Sequence, residues 1–168
     1  MQSQLEAEKS AVLAKVTRLI KAIDFGMLTT QAEDGSLHSR PMAANGEVGP
    51  NGELYFFTYG QSYKVFEAVE HPQCNVSFSD IKSNSYVSVS GIARLVRDKA
   101  LMASLWKPEL KNWFPQGLDT QDIALLQVTP ERAEYWDGPS SAVAQTISFL
   151  GALTGVEVKI GENRKVTL

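Results

Sequence analysis

The sequence predicts a mostly β or α+β protein, an antiparallel barrel of six or seven strands with flanking helices. Short segments that alternate apolar and polar residues recur along the chain, and residues that favour turns separate them. Many short strands with few helices are typical of an antiparallel barrel. The clearest strand runs from Tyr86 to Arg97, and its expected inward face consists of Val87, Val89, Ala93 and Leu95.

Length and composition indicate a single globular domain that spans residues 1–168. The net charge of −3 argues against general nucleic-acid binding. Cys74 is expected to be a small buried hydrophobe rather than a reactive thiol. The N-terminus carries Glu6, Glu8 and Lys9 and is unlike a signal peptide. We therefore expect a cytoplasmic protein without a membrane span and without a nucleic-acid partner.

The N-terminal segment predicts an amphipathic helix that ends near Asp24. Ser3 and Glu6 have the spacing of a capping box, in which each side chain would bond the backbone of the other residue. The expected buried stripe follows helical spacing and consists of Leu5, Val12, Val16, Leu19, Ile20 and Ile23.

Three strands are expected after this helix. The strands Phe25 to Thr30 and Leu37 to Ala43 flank a tight hairpin turn at Asp34-Gly35. Turn residues between positions 45 and 52 then separate the second strand from a third, Leu54 to Thr58.

The middle of the chain predicts a helix from Ser62 to about Glu70 and a strand from Asn75 to Ser79. Gly91, in the middle of the strand Tyr86 to Arg97, indicates a bulge or a bend because glycine weakens a regular strand. Asp98 is expected to cap a further helix that continues through Trp106.

Two more strands, Ile123 to Thr129 and Arg132 to Trp136, are expected to be broken at Pro130. Residues Ser140 to Leu153 could form a helix, although their β-branched residues disfavour it. The segment from Val156 to Leu168 is either another strand or a loose tail.

The start of the helix at Ser62 is a candidate anion site. The Ser62 hydroxyl is well placed to cap the helix, whose first turn presents free N–H groups and a partial positive charge. Lys64 adds a full positive charge within that turn. The arrangement suits a phosphate group, and the alternative is an ordinary capped surface helix with an exposed lysine.

Other kinds of chemical site are not indicated by the sequence. His38 and His71 lie far apart and lack acidic partners at metal-ligand spacing, so we do not expect a metal site. The chain has no glycine-rich dinucleotide fingerprint and no recognisable nucleophile constellation.

Several motifs together resemble the flavin-binding split-barrel family of pyridoxamine 5'-phosphate oxidase-like proteins, and within it the general stress protein 26-like group. They occur in the order found in the family: Ser39-Arg40-Pro41-Met42, Phe56-Phe57-Thr58 followed by Ser62 and Lys64, Asn75-Val76-Ser77-Phe78, Tyr86-Val87-Ser88-Val89-Ser90-Gly91, and Tyr135-Trp136. The resemblance implies a split barrel, a homodimer, and flavin mononucleotide (FMN) at the subunit interface. Trp106, Trp113 and Phe114, as spare aromatic residues, also favour a dimer.

The resemblance also implies particular FMN contacts. Arg40, Lys64 and Ser62 would hold the phosphate, with arginine as a fork and lysine as a point charge. Trp113 could cover a flavin edge, or it could serve the core or the dimer contact. Phe57 and Met42 could likewise be core residues. The residues expected around the ring and ribityl chain are Arg40, Pro41, Met42, Phe57, Thr58, Tyr86 and Trp136.

Two departures separate this chain from the oxidases. Tyr63 stands where the oxidases carry a second arginine, and residues 138–142 lack the cations that hold pyridoxal phosphate. We therefore expect an FMN-binding flavoprotein, an oxidoreductase of unknown substrate, but not a true pyridoxamine 5'-phosphate oxidase. The alternatives are a protein that sequesters flavin without turnover, or the same fold holding deazaflavin or haem. Haem would normally require an axial histidine.

Overall fold

A computed structural model describes residues 2–44, 47–139 and 161–168 of the chain. Three helices and seven strands are described, together with two short 3-10 turns at Pro108–Asn112 and Gly117–Asp119. The helices are α1 (Gln2–Lys21), α2 (Tyr63–Glu70) and α3 (Lys99–Leu105). The strands are β1 (Phe25–Gln31), β2 (Leu37–Ala43), β3 (Leu54–Tyr59), β4 (Gln73–Asp80), β5 (Ser85–Val96), β6 (Ile123–Asp137) and β7 (Glu162–Thr167).

The seven strands form one antiparallel sheet in the order β2-β1-β4-β5-β6-β3, and β7 pairs with β6. The long strand β6 pairs with β5 along its length, with β3 in its first half and with β7 in its second half. The end strands β2 and β3 approach each other, but the ladders of the described strands do not join them. This architecture confirms the predicted split barrel.

The prediction for β5 is confirmed at three of four positions. Val87, Val89 and Ala93 are buried, whereas Leu95 is only half-buried. The pairing register with β6 shifts between Ser90 and Gly91, which confirms the predicted irregularity. A side chain at Gly91 would meet a backbone carbonyl of β6, so the close approach of the two strands requires glycine here.

The predicted break in β6 at Pro130 is wrong. Residues Ile123–Asp137 form one strand, and Pro130 lies opposite Gly91 beside the register shift. Proline lacks an N–H group and is tolerated in a sheet at bulges, where the ladder is already interrupted. The bulge therefore allows β6 to run through its proline.

The α1 stripe is largely confirmed, while the predicted capping box is wrong. Ser3 already lies inside the helix, so it does not form the helix start. In the stripe, Ile23 is half-buried beyond the helix end, and the side chain of Leu5 lies outside the described residues. The buried members of the stripe are Val12, Val16, Leu19 and Ile20.

The other predicted boundaries agree with the structure to within three residues where it describes them, the largest difference being the end of α1 at Lys21 instead of Asp24. Gly35 adopts a positive φ of 84° in the β1–β2 turn, and the Asp98 carboxylate accepts a hydrogen bond at the start of α3. The predicted helix at 140–153 and residues 156–160 lie outside the described residues, whereas 162–167 form β7. No helix among the described residues is both long enough and apolar enough to cross a membrane.

Candidate functional site

A pocket of about 240 Å³ lies where β2, β3, the start of α2 and the loop after α3 meet. Among its described lining residues, Lys64 is the only one with a charged side chain. Six of the ten predicted site residues line it: Pro41, Met42, Phe57, Thr58, Lys64 and Trp113. The remaining lining residues are Phe25, Ala43, Tyr59, Leu110 and Phe114.

The β3 wall of the pocket is fixed because β3 separates two cores. Phe56 is buried in the main core, whereas Phe57 belongs to a second cluster under the loop after α3. The Phe57 ring packs edge-on against Trp106 at 5.4 Å between centroids and also contacts Phe114. Trp106 and Phe114 thus pack against Phe57 within the subunit, and their contribution to a dimer contact stays a prediction.

Trp113 forms the rim of the pocket. Trp113 is 47% exposed, and its ring lies edge-on to Phe25 at 6.1 Å between centroids. The Tyr59 hydroxyl donates to the Trp113 carbonyl at 2.9 Å, which ties the aromatic loop to the end of β3. The indole is therefore held at the mouth rather than buried in the core.

Ser62 occupies the N-cap position of α2, but its predicted capping hydrogen bond is wrong. The Ser62 backbone is extended, with φ −70° and ψ 151°, and its side chain caps no amide. Its hydroxyl instead lies 3.3 Å from the hydroxyl of Thr58. The two hydroxyls lie together at the junction of β3 and α2, and the side chain leaves the first-turn amides to other acceptors.

The turn between β3 and α2 is anchored by Asp122. The backbone N–H of Gly60 donates to the Asp122 carbonyl at 2.9 Å, and that of Gln61 donates to its carboxylate at 2.7 Å. Arg97 pairs with the other carboxylate oxygen at 2.7 Å. Because this turn leads into α2, these contacts also fix the position of Lys64.

Arg40 faces a buried carboxylate instead of lining the pocket itself. Its guanidinium forms an ion pair with Glu67 of α2 at 2.7 Å and donates to the hydroxyl of Thr30. Burial raises the pKa of Glu67, but hydrogen bonds from Thr30, His38 and Arg40 hold it below its ordinary value. Glu67 is therefore ionised at neutral pH and fixes the guanidinium.

Lys64 and Arg40 lie close enough to influence each other. Burial lowers the pKa of the Lys64 ammonium, and the positive charge of Arg40 lowers it further. A half-buried ammonium beside a second cation is stabilised by an anion. This end of the pocket therefore suits a negatively charged group.

Tyr86 and Trp136 are not brought to this pocket within one chain. They lie opposite each other on β5 and β6. Phe57 in the pocket pairs with Leu125, near the other end of β6. At about 3.3 Å per residue, Leu125 and Trp136 are separated by on the order of 30 Å along the strand.

Sequence reasoning missed several residues of the site. Leu110 and Phe114 lie in the segment after α3, where periodicity carries no signal, and Phe25 is the first residue of β1. Tyr59 directly follows the predicted strand and could have been included. Glu67 had a usable signal, because it follows Lys64 by three residues and so lies on the same side of the helix.

The remaining candidates from the sequence do not form a second site among the described residues. Cys74 is buried as predicted, and burial raises the pKa of its thiol to about 11. No group of three or more His, Cys, Asp or Glu side chains is placed to hold a metal ion in the described part of the chain.

Comparison with solved structures identifies the same architecture elsewhere. A general stress protein 26 from Bacillus anthracis strain Sterne is 25% identical, with a TM-score of 0.65 over 74% of this chain and 92% of that chain. A protein described as general stress protein 26 from Jannaschia sp. CCS1 is 20% identical, with a TM-score of 0.77 over 94% of this chain and 99% of that chain.

A third solved structure is a pyridoxamine 5'-phosphate oxidase-related, FMN-binding protein from Nostoc punctiforme. It is 13% identical, with a TM-score of 0.55 over 76% of this chain and 82% of that chain. At the level of sequence, a family profile described as pyridoxamine 5'-phosphate oxidase like matches residues 11–158. The chain therefore belongs to the pyridoxamine 5'-phosphate oxidase-like family.

Proposed function

We propose that this protein binds FMN in the pocket between β2, β3 and α2 and acts as an FMN-dependent oxidoreductase. The observation that carries the proposal is the composition of the pocket. Six residues predicted to contact flavin converge there, and Lys64 is the sole charged residue of the described lining. Apolar and aromatic walls with one cation suit a flat ring that carries a phosphate.

The residues present fit FMN in kind. Phe57, Met42 and Trp113 offer apolar and aromatic surface to the isoalloxazine ring, and Thr58 belongs to the same lining. Lys64, with Arg40 beside it, would hold the phosphate. Bound FMN would supply electron or hydride transfer, and the protein would supply orientation and electrostatics. The family profile and the FMN-binding relative from Nostoc punctiforme support this choice.

We further propose that the protein is a homodimer in which Tyr86 and Trp136 of the partner subunit complete the flavin site. The outer face of β1, β4 and β5 carries Met27, Ser77 and Ser88 at paired positions, and Ser88 lies opposite Glu134 of β6. Met27 and Trp136 are 41% and 40% exposed. A sheet face with exposed apolar residues suits contact with a second copy.

The absorbance spectrum of the purified protein after incubation with FMN and desalting tests the proposal. We expect two retained flavin bands, one in the blue and one in the near ultraviolet. No retained flavin and no measurable FMN affinity would refute it. A Soret band would indicate a haem protein instead, and retention of a deazaflavin in place of FMN would indicate a deazaflavin-binding protein.

Turnover is tested separately by stopped-flow reduction with a nicotinamide cofactor. Reduction of the bound FMN faster than that of free FMN would support an oxidoreductase. The described pocket lining offers no carboxylate or imidazole as an acid or base, which keeps a flavin-sequestering role as the second candidate. Bound FMN that is reduced no faster than free FMN would favour that role. A cytoplasmic location stays a prediction from the sequence.

A further inference from the structure

One buried carboxylate joins three elements next to the pocket. Glu67 on α2 is 1% exposed. Its Oε2 accepts hydrogen bonds from Arg40 Nη2 at 2.7 Å and from the hydroxyl of Thr30 on β1. Its Oε1 accepts from Nδ1 of His38 at 2.7 Å. Glu67 thus cross-links β1, β2 and α2, and it lies three residues after Lys64 in the same helix.

The Arg40 guanidinium is held through two of its nitrogens. Nη1 donates to Thr30 and Nη2 donates to Glu67, whereas Thr30 itself is bonded to Glu67. A guanidinium has five N–H donors in a fixed fork, so donors remain for a ligand when some are used as anchors. The positive charge of the anchored guanidinium lowers the pKa of Lys64.

We propose that Glu67 is a positioning residue for the phosphate end of the site, and that it acts by fixing Arg40 beside Lys64. This inference rests on the proposed FMN function and adds a residue that contacts no ligand itself. A long arginine side chain loses much rotamer freedom when it binds, and anchoring it in advance removes that cost from the binding step. Thr30 contributes to the same anchor.

The experiment measures the dissociation constants of FMN and riboflavin for each variant at fixed salt, by flavin fluorescence. The ratio of the riboflavin dissociation constant to the FMN dissociation constant isolates the contribution of the phosphate. For Glu67→Leu we expect this ratio to fall about tenfold, the equivalent of one lost charge-assisted hydrogen bond. For the nearly isosteric Thr30→Val we expect a smaller fall in the same direction. Glu67→Gln should keep the ratio, because its amide oxygen still accepts from Arg40.

His38→Gln is the matched control, since His38 contacts Oε1 of Glu67, whereas Arg40 contacts Oε2. It should leave the ratio unchanged. If Glu67→Leu does not fold, Thr30→Val decides the question alone.

If Glu67 had a purely structural role, Glu67→Leu would weaken the binding of FMN and of riboflavin by the same factor. An unchanged ratio in the variants that fold, Thr30→Val included, therefore overturns the inference. Wild-type protein that binds neither flavin would refute the proposed function itself, which is a different result. Wild-type protein that binds FMN and riboflavin equally would overturn the phosphate site and this inference, while a flavin function would stand.

Discussion

Tyr86 and Trp136 lie directly opposite each other on β5 and β6, at the end of β6 remote from Leu125 and the pocket. Trp136 is 40% exposed, and Tyr86 is half-buried beside it. Within one chain, two predicted flavin contacts are therefore separated from the other site residues. Both sets can serve one flavin only if a second copy of the chain brings its Tyr86 and Trp136 to the pocket.

We expect the protein to scatter light as a particle of twice 18.4 kDa at micromolar concentration. Trp136→Ala should weaken FMN because an exposed aromatic face would be lost from the shared site. The exposed Ile81 lies on the β4–β5 turn, and Ile81→Ala is the control. A monomer of 18.4 kDa that binds FMN with full affinity would contradict the proposed dimer.

Lys64→Ala should lower the affinity for FMN roughly tenfold to a hundredfold, because a charge-assisted hydrogen bond to phosphate contributes about 1.5–3 kcal/mol. Riboflavin lacks the phosphate and should hardly respond. Arg40→Ala should also weaken FMN strongly, with a somewhat larger effect on riboflavin because its strand lines the pocket. Fluorescence titration measures both ligands, and the exposed Lys99→Ala serves as control. Equal weakening of both ligands by Lys64→Ala would exclude the lysine as a phosphate ligand.

Val89→Asp should lower the free energy of unfolding by several kcal/mol, since Val89 is 2% exposed and an unpaired carboxylate would enter the core. The comparison is Arg94→Asp, which places the same residue at an exposed position of β5. Thermal and urea unfolding of both variants give the measurement. Equal melting temperatures for wild type and Val89→Asp would show that the inward face of β5 is misassigned.

Gly91→Ala should destabilise the protein more than Gly35→Ala. A methyl group at Gly91 would lie 2.1 Å from the carbonyl oxygen of Thr129, so the backbone of β6 would have to move. At Gly35 the nearest atom, Nε2 of Gln31, would lie at an ordinary contact distance of 3.9 Å, so only the positive φ opposes alanine, which costs on the order of 1 kcal/mol. Urea unfolding of the two variants checks the order, and the reverse order would argue against a close contact at the bulge.

Asp137 should stabilise the fold in a pH-dependent way. Its hydrogen bond with Lys15 is the main cause that lowers its pKa, with a smaller contribution from Ser85. A lowered folded-state pKa gives stability that is present above the unfolded value, near 3.8, and lost as the pH falls through the folded value. Asp137→Asn should therefore lower the free energy of unfolding by about 1 kcal/mol at pH 7.

The difference between wild type and Asp137→Asn should shrink as the pH is lowered below about 4. Urea unfolding of both proteins between pH 7 and pH 3.5 measures it, with the exposed Asp119→Asn as control. A difference in the free energy of unfolding that stays constant over this pH range would show that the ionised carboxylate of Asp137 does not stabilise the fold.

The strands of this fold could be predicted from the sequence where one face of the strand is buried and the other face is exposed to solvent. Val87, Val89 and Ala93 alternate with less buried neighbours, so both the strand β5 and its buried face could be predicted. Pro130 misled the prediction of β6 because its tolerance depends on the bulge at Gly91 in the neighbouring strand. That relation exists only after the strands pair.

The site was predictable to the extent that it lies on strands and on the first turn of α2. Phe57, Thr58 and Lys64 were named from the sequence and line the pocket. Glu67 was missed because its partners, Thr30 and Arg40, lie 37 and 27 residues away in sequence. Its spacing from Lys64 places it on the same side of α2, but its partners are set by contacts that no local pattern encodes.

The pairing of β3 has a consequence for the order in which this protein can be made. β3 carries the pocket wall at Phe57, and its ladder partner among the described strands is β6, which begins at Ile123. A ribosome completes β3 long before it reaches that partner, so the wall emerges as an unpaired strand. Pairing across such a distance is slow and leaves the edge open to aggregation meanwhile. We therefore expect ligand competence late in synthesis, after residue 137, and a benefit from chaperones during that interval.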